Sequence, residues 1–79
     1  MTVEETLKKV VTRVTRKPEM AFSSATTFED LDADSLDMVQ ILVALEDTYD
    51  IEIQEEDLQG VKTMGDFISY IKRKVAEKG

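Results

Sequence analysis

The absence of cysteine from a chain of only 79 residues is the strongest restriction on how it can fold. A domain this small buries roughly 60% of the surface its unfolded chain exposes, and many such domains make up the shortfall with disulfides or a thiolate-bound metal. With neither open to it, this chain must rely on one modest apolar core. We therefore expect residues 1–79 to form a single domain. Histidine is absent as well, which removes the commonest metal ligand and the commonest proton carrier at neutral pH. Much catalytic chemistry is thereby excluded, and neither a catalytic nor a metal-binding residue is assigned. A hydrophobic content of 42% suffices for the core, yet no apolar run approaches the ~20 residues of a membrane span.

Periodicity says how that core is built. Thr2-Val3-Glu4-Glu5 has the spacing of a reciprocal helix cap. Val3, Leu7, Val10, Val11 and Val14 then mark one face of a helix from Val3 to Arg16, ended by Pro18, which pushes its predecessor out of helical geometry. Residues 18–34 keep no period and predict a long loop, ordered by Phe22, Phe28 and Leu31 and folded across the bundle. A second helix over 35–50 carries Leu36, Met38, Val39, Ile41, Leu42, Val43, Ala44 and Leu45, which cover more of its circumference than one core contact needs. Part of that surface should meet something else. Gln54–Gln59 predicts a short helix. Thr63-Met64-Gly65-Asp66 opens the last one, with Phe67, Ile68, Ile71 and Val75 facing inward. The expected fold is all-α: a four-helix bundle with three main helices, one short helix and a long loop between the first two.

Charge is distributed in blocks. Residues 19–61 hold thirteen acids and no Lys or Arg, whereas the segments on either side are each net positive, and the whole chain carries −7. A field of this sign repels phosphate backbones and anionic lipid, and attracts proteins that present Lys and Arg. Nucleic acid and membrane insertion are therefore not expected. The opening Met-Thr-Val-Glu-Glu lacks the basic start and apolar stretch of an export signal, so the expected location is the cytoplasm.

The densest feature is Asp30-Leu31-Asp32-Ala33-Asp34-Ser35-Leu36-Asp37, where the loop meets the most apolar helix. Asp34 or Ser35 can cap that helix, with the other acids favouring its positive end. A calcium loop would use Asp30, Asp32 and Asp34, but Ser35 stands where the sharp turn needs glycine and Ile41 where a bidentate Glu must close the site. Ser35 also suits a phosphate ester, because unpaired amides and the helix dipole favour an anion there. With no base placed beside it by local sequence, it is better placed to receive a group than to attack a substrate.

Leu31-Asp32-Ala33-Asp34-Ser35-Leu36-Asp37, then Ala44-Leu45-Glu46-Asp47, Tyr49-Asp50-Ile51-Glu52-Ile53 and Thr63-Met64-Gly65-Asp66, resembles the discrete acyl carrier proteins of fatty acid and polyketide synthesis, over essentially the whole chain. The resemblance implies a 4'-phosphopantetheine arm, derived from coenzyme A, attached to Ser35 and holding acyl groups as thioesters. It implies that Asp34 and Leu36 flank the attachment motif, and that Asp37, Val39, Val43, Glu46 and Asp47 dock partners. For Leu36, Val39 and Val43 the competing role is core packing, because periodicity alone does not say which face is outward. The implied partners are a phosphopantetheinyl transferase and acyl-transferring, condensing and tailoring enzymes with basic docking surfaces, met by a monomeric carrier that is not itself an enzyme.

Four positions depart from the family pattern. Asp32 replaces a usual Gly, Gln40 a common Glu, Met38 a small polar residue and Gln54 a frequent Pro. Gln40 and Met38 point to service in a specialised pathway. Two alternatives stand beside this reading: a carrier of an amino acid or another non-acetate group, and an acidic helical adaptor with no prosthetic group.

Overall fold

The computed structural model describes residues 2–78. Three α-helices, α1 (Val3–Thr15), α2 (Ser35–Tyr49) and α3 (Met64–Lys78), are joined by two connections, each containing a 3₁₀ helix: Glu19–Ala21 in the first and Glu55–Gly60 in the second. The expected helical class and three-plus-one arrangement are present, with the single turn Glu19–Ala21 added inside the long loop.

Helix α1 begins where Thr2 Oγ1 accepts the Glu5 amide at 3.1 Å. The Glu5 carboxylate, expected to return a bond to the Thr2 backbone, takes the Thr2 hydroxyl instead at 3.3 Å. Leu7, Val10 and Val11 are buried, with Val3 and Val14 packed at the edge of the same cluster. Thr12 is buried beside them, which its polarity concealed; its hydroxyl donates to the Lys8 carbonyl one turn back. The helix stops one residue earlier than expected, and Pro18 is not the direct cause. Arg16 turns left-handed, with φ 60°, and this lets the Lys17 amide close on the Thr12 carbonyl at 3.0 Å. Helix α2 ends in the same way, with Asp50 at φ 53° and the Ile51 amide on the Glu46 carbonyl at 3.2 Å.

The long loop is pinned to the bundle by side chains and by backbone. Phe22 and Leu31 are buried, and Phe28 packs edge-on against Phe67 with ring centroids 5.4 Å apart. Buried Thr26 organises the loop's middle, its hydroxyl donating to the Ala21 carbonyl at 3.0 Å and accepting the Ser23 amide at 3.1 Å. Two loop carbonyls then serve the first turn of α3: Thr26 accepts the Met64 amide at 2.7 Å and Ser24 the Gly65 amide at 3.0 Å. Glycine suits position 65, because a Cβ there would lie 3.0 Å from the Ser24 oxygen, tighter than ordinary contact.

Helix α3 also carries the predicted reciprocal cap. Thr63 Oγ1 accepts the Asp66 amide at 3.2 Å, and Asp66 Oδ2 accepts the amides of Lys62 and Thr63 at 3.2 and 3.3 Å. These backbone donors hold the Asp66 carboxyl below its usual 3.8. Phe67, Ile68 and Ile71 are buried as expected; Met64 and Tyr70 join them. The fully buried centre draws on every layer: Leu7 and Val11 from α1, Leu31 from the loop, Ile41 and Leu45 from α2, and Met64, Phe67 and Ile71 from α3.

Candidate functional site

The acidic junction resolves into separate caps. Asp34 is the N-cap of α2, its Oδ1 accepting the Asp37 amide at 2.8 Å, while Asp37 Oδ2 accepts the Asp34 amide at 3.4 Å. Asp30 closes a similar reciprocal pair with Thr27, both bonds 3.0 Å long. Asp32 pairs with Lys17 at 3.0 Å, across the base of the long loop. The three acids of the calcium pattern thus serve three different partners, and no group of three or more potential ligating side chains converges among the described residues. Asp32 itself sits at φ 55°, so a left-handed turn that glycine adopts most readily is made here with an aspartate, one of the few other residues to tolerate it.

Ser35 is left over by this network. It is the first residue of α2, is exposed, and lies outside the cap built by Asp34 and Asp37. Its hydroxyl stands at the positive end of a 15-residue helix, where a phosphodiester gains from the dipole and from first-turn amides. A groove of about 440 Å³ opens beside it, lined by Ser35, Met38, Val39 and Leu42 of α2 and by Glu55, Leu58 and Gln59 of the second 3₁₀ helix. The residues present therefore suit an arm esterified to Ser35, with an exposed attachment atom, a favourable field and an adjoining apolar channel.

Along α2 only Ile41 and Leu45 are buried. Leu36, Val39 and Val43 are 64, 53 and 50% exposed, and their spacing of three and four aligns them in one outward stripe that continues to exposed Asp47. The apolar surplus of this helix faces away from the core. Asp37 and Glu46 are half-buried and already engaged: Asp37 in the cap, Glu46 as acceptor of the Ile53 amide at 3.0 Å. Gln54, where the resemblance leads one to expect proline, donates to the Glu52 carboxylate at 3.0 Å.

Sequence reasoning did not single out Leu42, Glu55, Leu58 or Gln59 as groove residues. A signal was there for Leu58, the lone large apolar residue in the acidic run 54–59. Tyr70 was also missed. It is 5% exposed, its hydroxyl donates to Asp57 Oδ2 at 2.9 Å, and burial, then that bond, push its titration up to about 12.

A helical domain presenting an exposed serine at the start of its most apolar helix suits the attachment of a group there, and comparison with known proteins gives the family. The phosphopantetheine attachment site family matches residues 5–71. An acyl carrier protein of Streptococcus pyogenes serotype M1 is 38% identical over 74 residues, spanning 94% of this chain and 97% of that protein. One from Buchnera aphidicola subsp. Acyrthosiphon pisum (strain APS) is 38% identical over 77 residues, 96% of each chain. Among solved structures, the solution structure of a holo acyl carrier protein from Geobacter metallireducens superposes with a TM-score of 0.83 at 29% identity, covering 99% of this chain and 91% of that one. The chain belongs to the acyl carrier protein family, whose members are carriers rather than catalysts and bear a covalent 4'-phosphopantetheine.

Proposed function

We propose that Ser35 is the residue that bears the 4'-phosphopantetheine arm, and that acyl intermediates ride on its thiol between biosynthetic enzymes. The observation that carries this assignment is the exposed hydroxyl of Ser35 at the N-terminus of α2, left free by the Asp34–Asp37 cap. The bound arm supplies the one thiol that a chain without cysteine lacks. Attachment forms an ester bond from Ser35 Oγ to the pantetheine-side phosphorus of coenzyme A's pyrophosphate, breaks that phosphorus's bond to the bridging oxygen, and releases the nucleotide part with that oxygen. The serine hydroxyl gives up its proton in this step, to a base at the interface with the transferase.

Docking is the task of the outward face of α2. Leu36, Val39 and Val43 offer an apolar stripe, and Asp37, Glu46 and Asp47 add carboxylates within a segment free of bases, which suits partner surfaces rich in Lys and Arg. Asp34 and Leu36 flank the serine for the transferase. Gln40, exposed on the same helix, removes a charge from this face, and Met38 adds apolar surface to the groove, so we assign the carrier to a specialised acyl pathway, acting as a monomer in the cytoplasm. No helix among the described residues is long and apolar enough to cross a membrane.

Incubation with coenzyme A and a broad-specificity phosphopantetheinyl transferase, followed by intact-mass measurement, is the deciding experiment. One arm should add to the native chain and none to Ser35→Ala. A gain that survives the substitution would refute the assignment, and unmodified protein with full function would favour the adaptor.

A further inference from the structure

Amines attack thioesters, so a chain that holds acyl groups in this form carries a hazard in its own lysines. Residues 19–61, which surround Ser35, contain no Lys, and the chain has no cysteine or histidine to compete. Most amines outside that segment stand away from the serine. Lys78 is bound to Asp50, the C-cap of α2, and Lys74 lines a cleft with the same Asp50; the 15 residues of α2 put that end about 22 Å from Ser35. Lys72 lies on the same half of α3. Lys8 and Lys9 lie about two turns back along α1 from its C-terminal end. Lys62 follows Gly60 and Val61, which line a cleft against α3 and not the groove beside Ser35.

Lys17 is different. Its Nζ lies 3.0 Å from Asp32 Oδ2 at the protein surface, and Asp32 is three residues before Ser35, at most about 11 Å away along the backbone. An arm long enough to serve other enzymes' active sites sweeps this distance freely, so its cargo meets Lys17 at the high effective concentration of a tethered pair. Asp32 sits at φ 55°, where glycine would fit more easily, and among the described residues the polar partner of its side chain is Lys17.

We propose that Lys17 is an acyl acceptor within this carrier, and that Asp32 is the residue that holds it back. The inference rests on the reading of Ser35 as the arm-bearing residue. To attack, the ammonium must leave Asp32 and give up a proton to water. The nitrogen then bonds to the acyl carbon, the carbon–sulfur bond breaks with its electron pair going to sulfur, and the second proton lost by nitrogen is taken up there. The products are an amide on Lys17 and a free thiol on the arm. The acylated side chain loses its charge, and with it the pair at the base of the long loop.

The test uses the full chain. On unmodified protein, brief treatment with the N-hydroxysuccinimide ester of acetic acid should label Lys17 about threefold faster in Asp32→Asn than in the native chain, the size expected from one exposed ion pair. Exposed Lys9 serves as the reference amine. Asn tolerates the left-handed turn as Asp does, and Asp32→Gly should label like Asp32→Asn. The chain is then given the arm, confirmed by intact mass, loaded with an octanoyl thioester and held at about pH 9, where ordinary lysine begins to lose its proton. Hydroxylamine cleaves thioesters and spares amides. A resistant octanoyl group should accumulate on the native chain, placed on Lys17 by peptide masses, and should form about threefold faster in Asp32→Asn. Lys17→Arg, whose guanidinium keeps the ion pair without attacking, should abolish it. Failure to gain the arm refutes the reading of Ser35 and this inference together. With the arm in place, complete release by hydroxylamine, an amide on a different lysine, or equal rates in the native and Asp32→Asn chains overturns the inference alone.

Discussion

Two tyrosines with opposite polar fates show how far single residues decide the behaviour of this chain. The Tyr49 hydroxyl is buried with no hydrogen-bond partner among the described residues. An unsatisfied buried polar group costs about 1–3 kcal/mol, so Tyr49→Phe should raise stability by about 1 kcal/mol, read as a higher urea midpoint at unchanged slope; a lower midpoint would contradict this. Tyr70, by contrast, is satisfied by Asp57 and titrates at about 12, against an ordinary 10. Between these values the folded chain keeps a proton that the unfolded chain has released, so this contribution is complete below pH 10 and is lost as pH rises toward 12. Asp66 acts at the other end of the scale. Its carboxyl is held below 3.8, so its contribution is complete above that value and is lost as pH falls through the lowered one. Stability curves should accordingly lose part of their alkaline decline in Tyr70→Phe and part of their acid decline in Asp66→Asn.

Among the helices, legibility in the sequence followed amphipathic contrast. Residues of α1 and α3 alternate sharply between apolar and charged, so their inward faces could be read off the periodicity, and Leu7, Val11, Phe67 and Ile71 are all fully buried. Helix α2 has apolar residues on most sides, and periodicity could not separate buried Ile41 and Leu45 from exposed Leu36, Val39 and Val43. The place of Ser35 at the start of α2 was legible in the sequence, whereas the groove beside it was not, because Leu58 and Gln59 reach it only through the path of a later connection. The left-handed ends at Arg16 and Asp50 were equally hidden, since neither residue is the glycine that announces such a turn. The start of α3 offers a test at this scale. Gly65→Ala would press a methyl group against the Ser24 carbonyl, part of a backbone contact with no flexible side chain to yield. We expect a loss of about 1–3 kcal/mol, measured by denaturant melts, with the helix content of α1 and α2 retained below the transition.

For the whole molecule, the arrangement of charge matters more than its sum. Thirteen carboxylates between residues 19 and 61 are interleaved with no base, and the two ion pairs among the described residues, Lys17 with Asp32 and Lys78 with Asp50, both bring a base from outside that segment. Both pairs are surface-exposed and contribute little each. Salt screens the repulsion that remains, so the melting temperature should rise between low and moderate ionic strength, while the association rate with partners of the basic kind proposed above should fall. A melting temperature that stays constant would count against a repulsive middle segment.

The carbonyls of Ser24 and Thr26 that receive the first amides of α3 come from a connection roughly forty residues earlier in the chain. Helix α3 therefore does not possess its own beginning. A peptide limited to residues 62–79 would keep the Thr63–Asp66 cap and lose the partners of Met64 and Gly65. During folding, the first amides of the last helix exchange water for these carbonyls only after the long loop has closed over it, a non-local event whose entropy must be met before that reward. The loop that leads to Ser35 and the start of α3 should accordingly gain their shared protection from amide exchange together and lose it together.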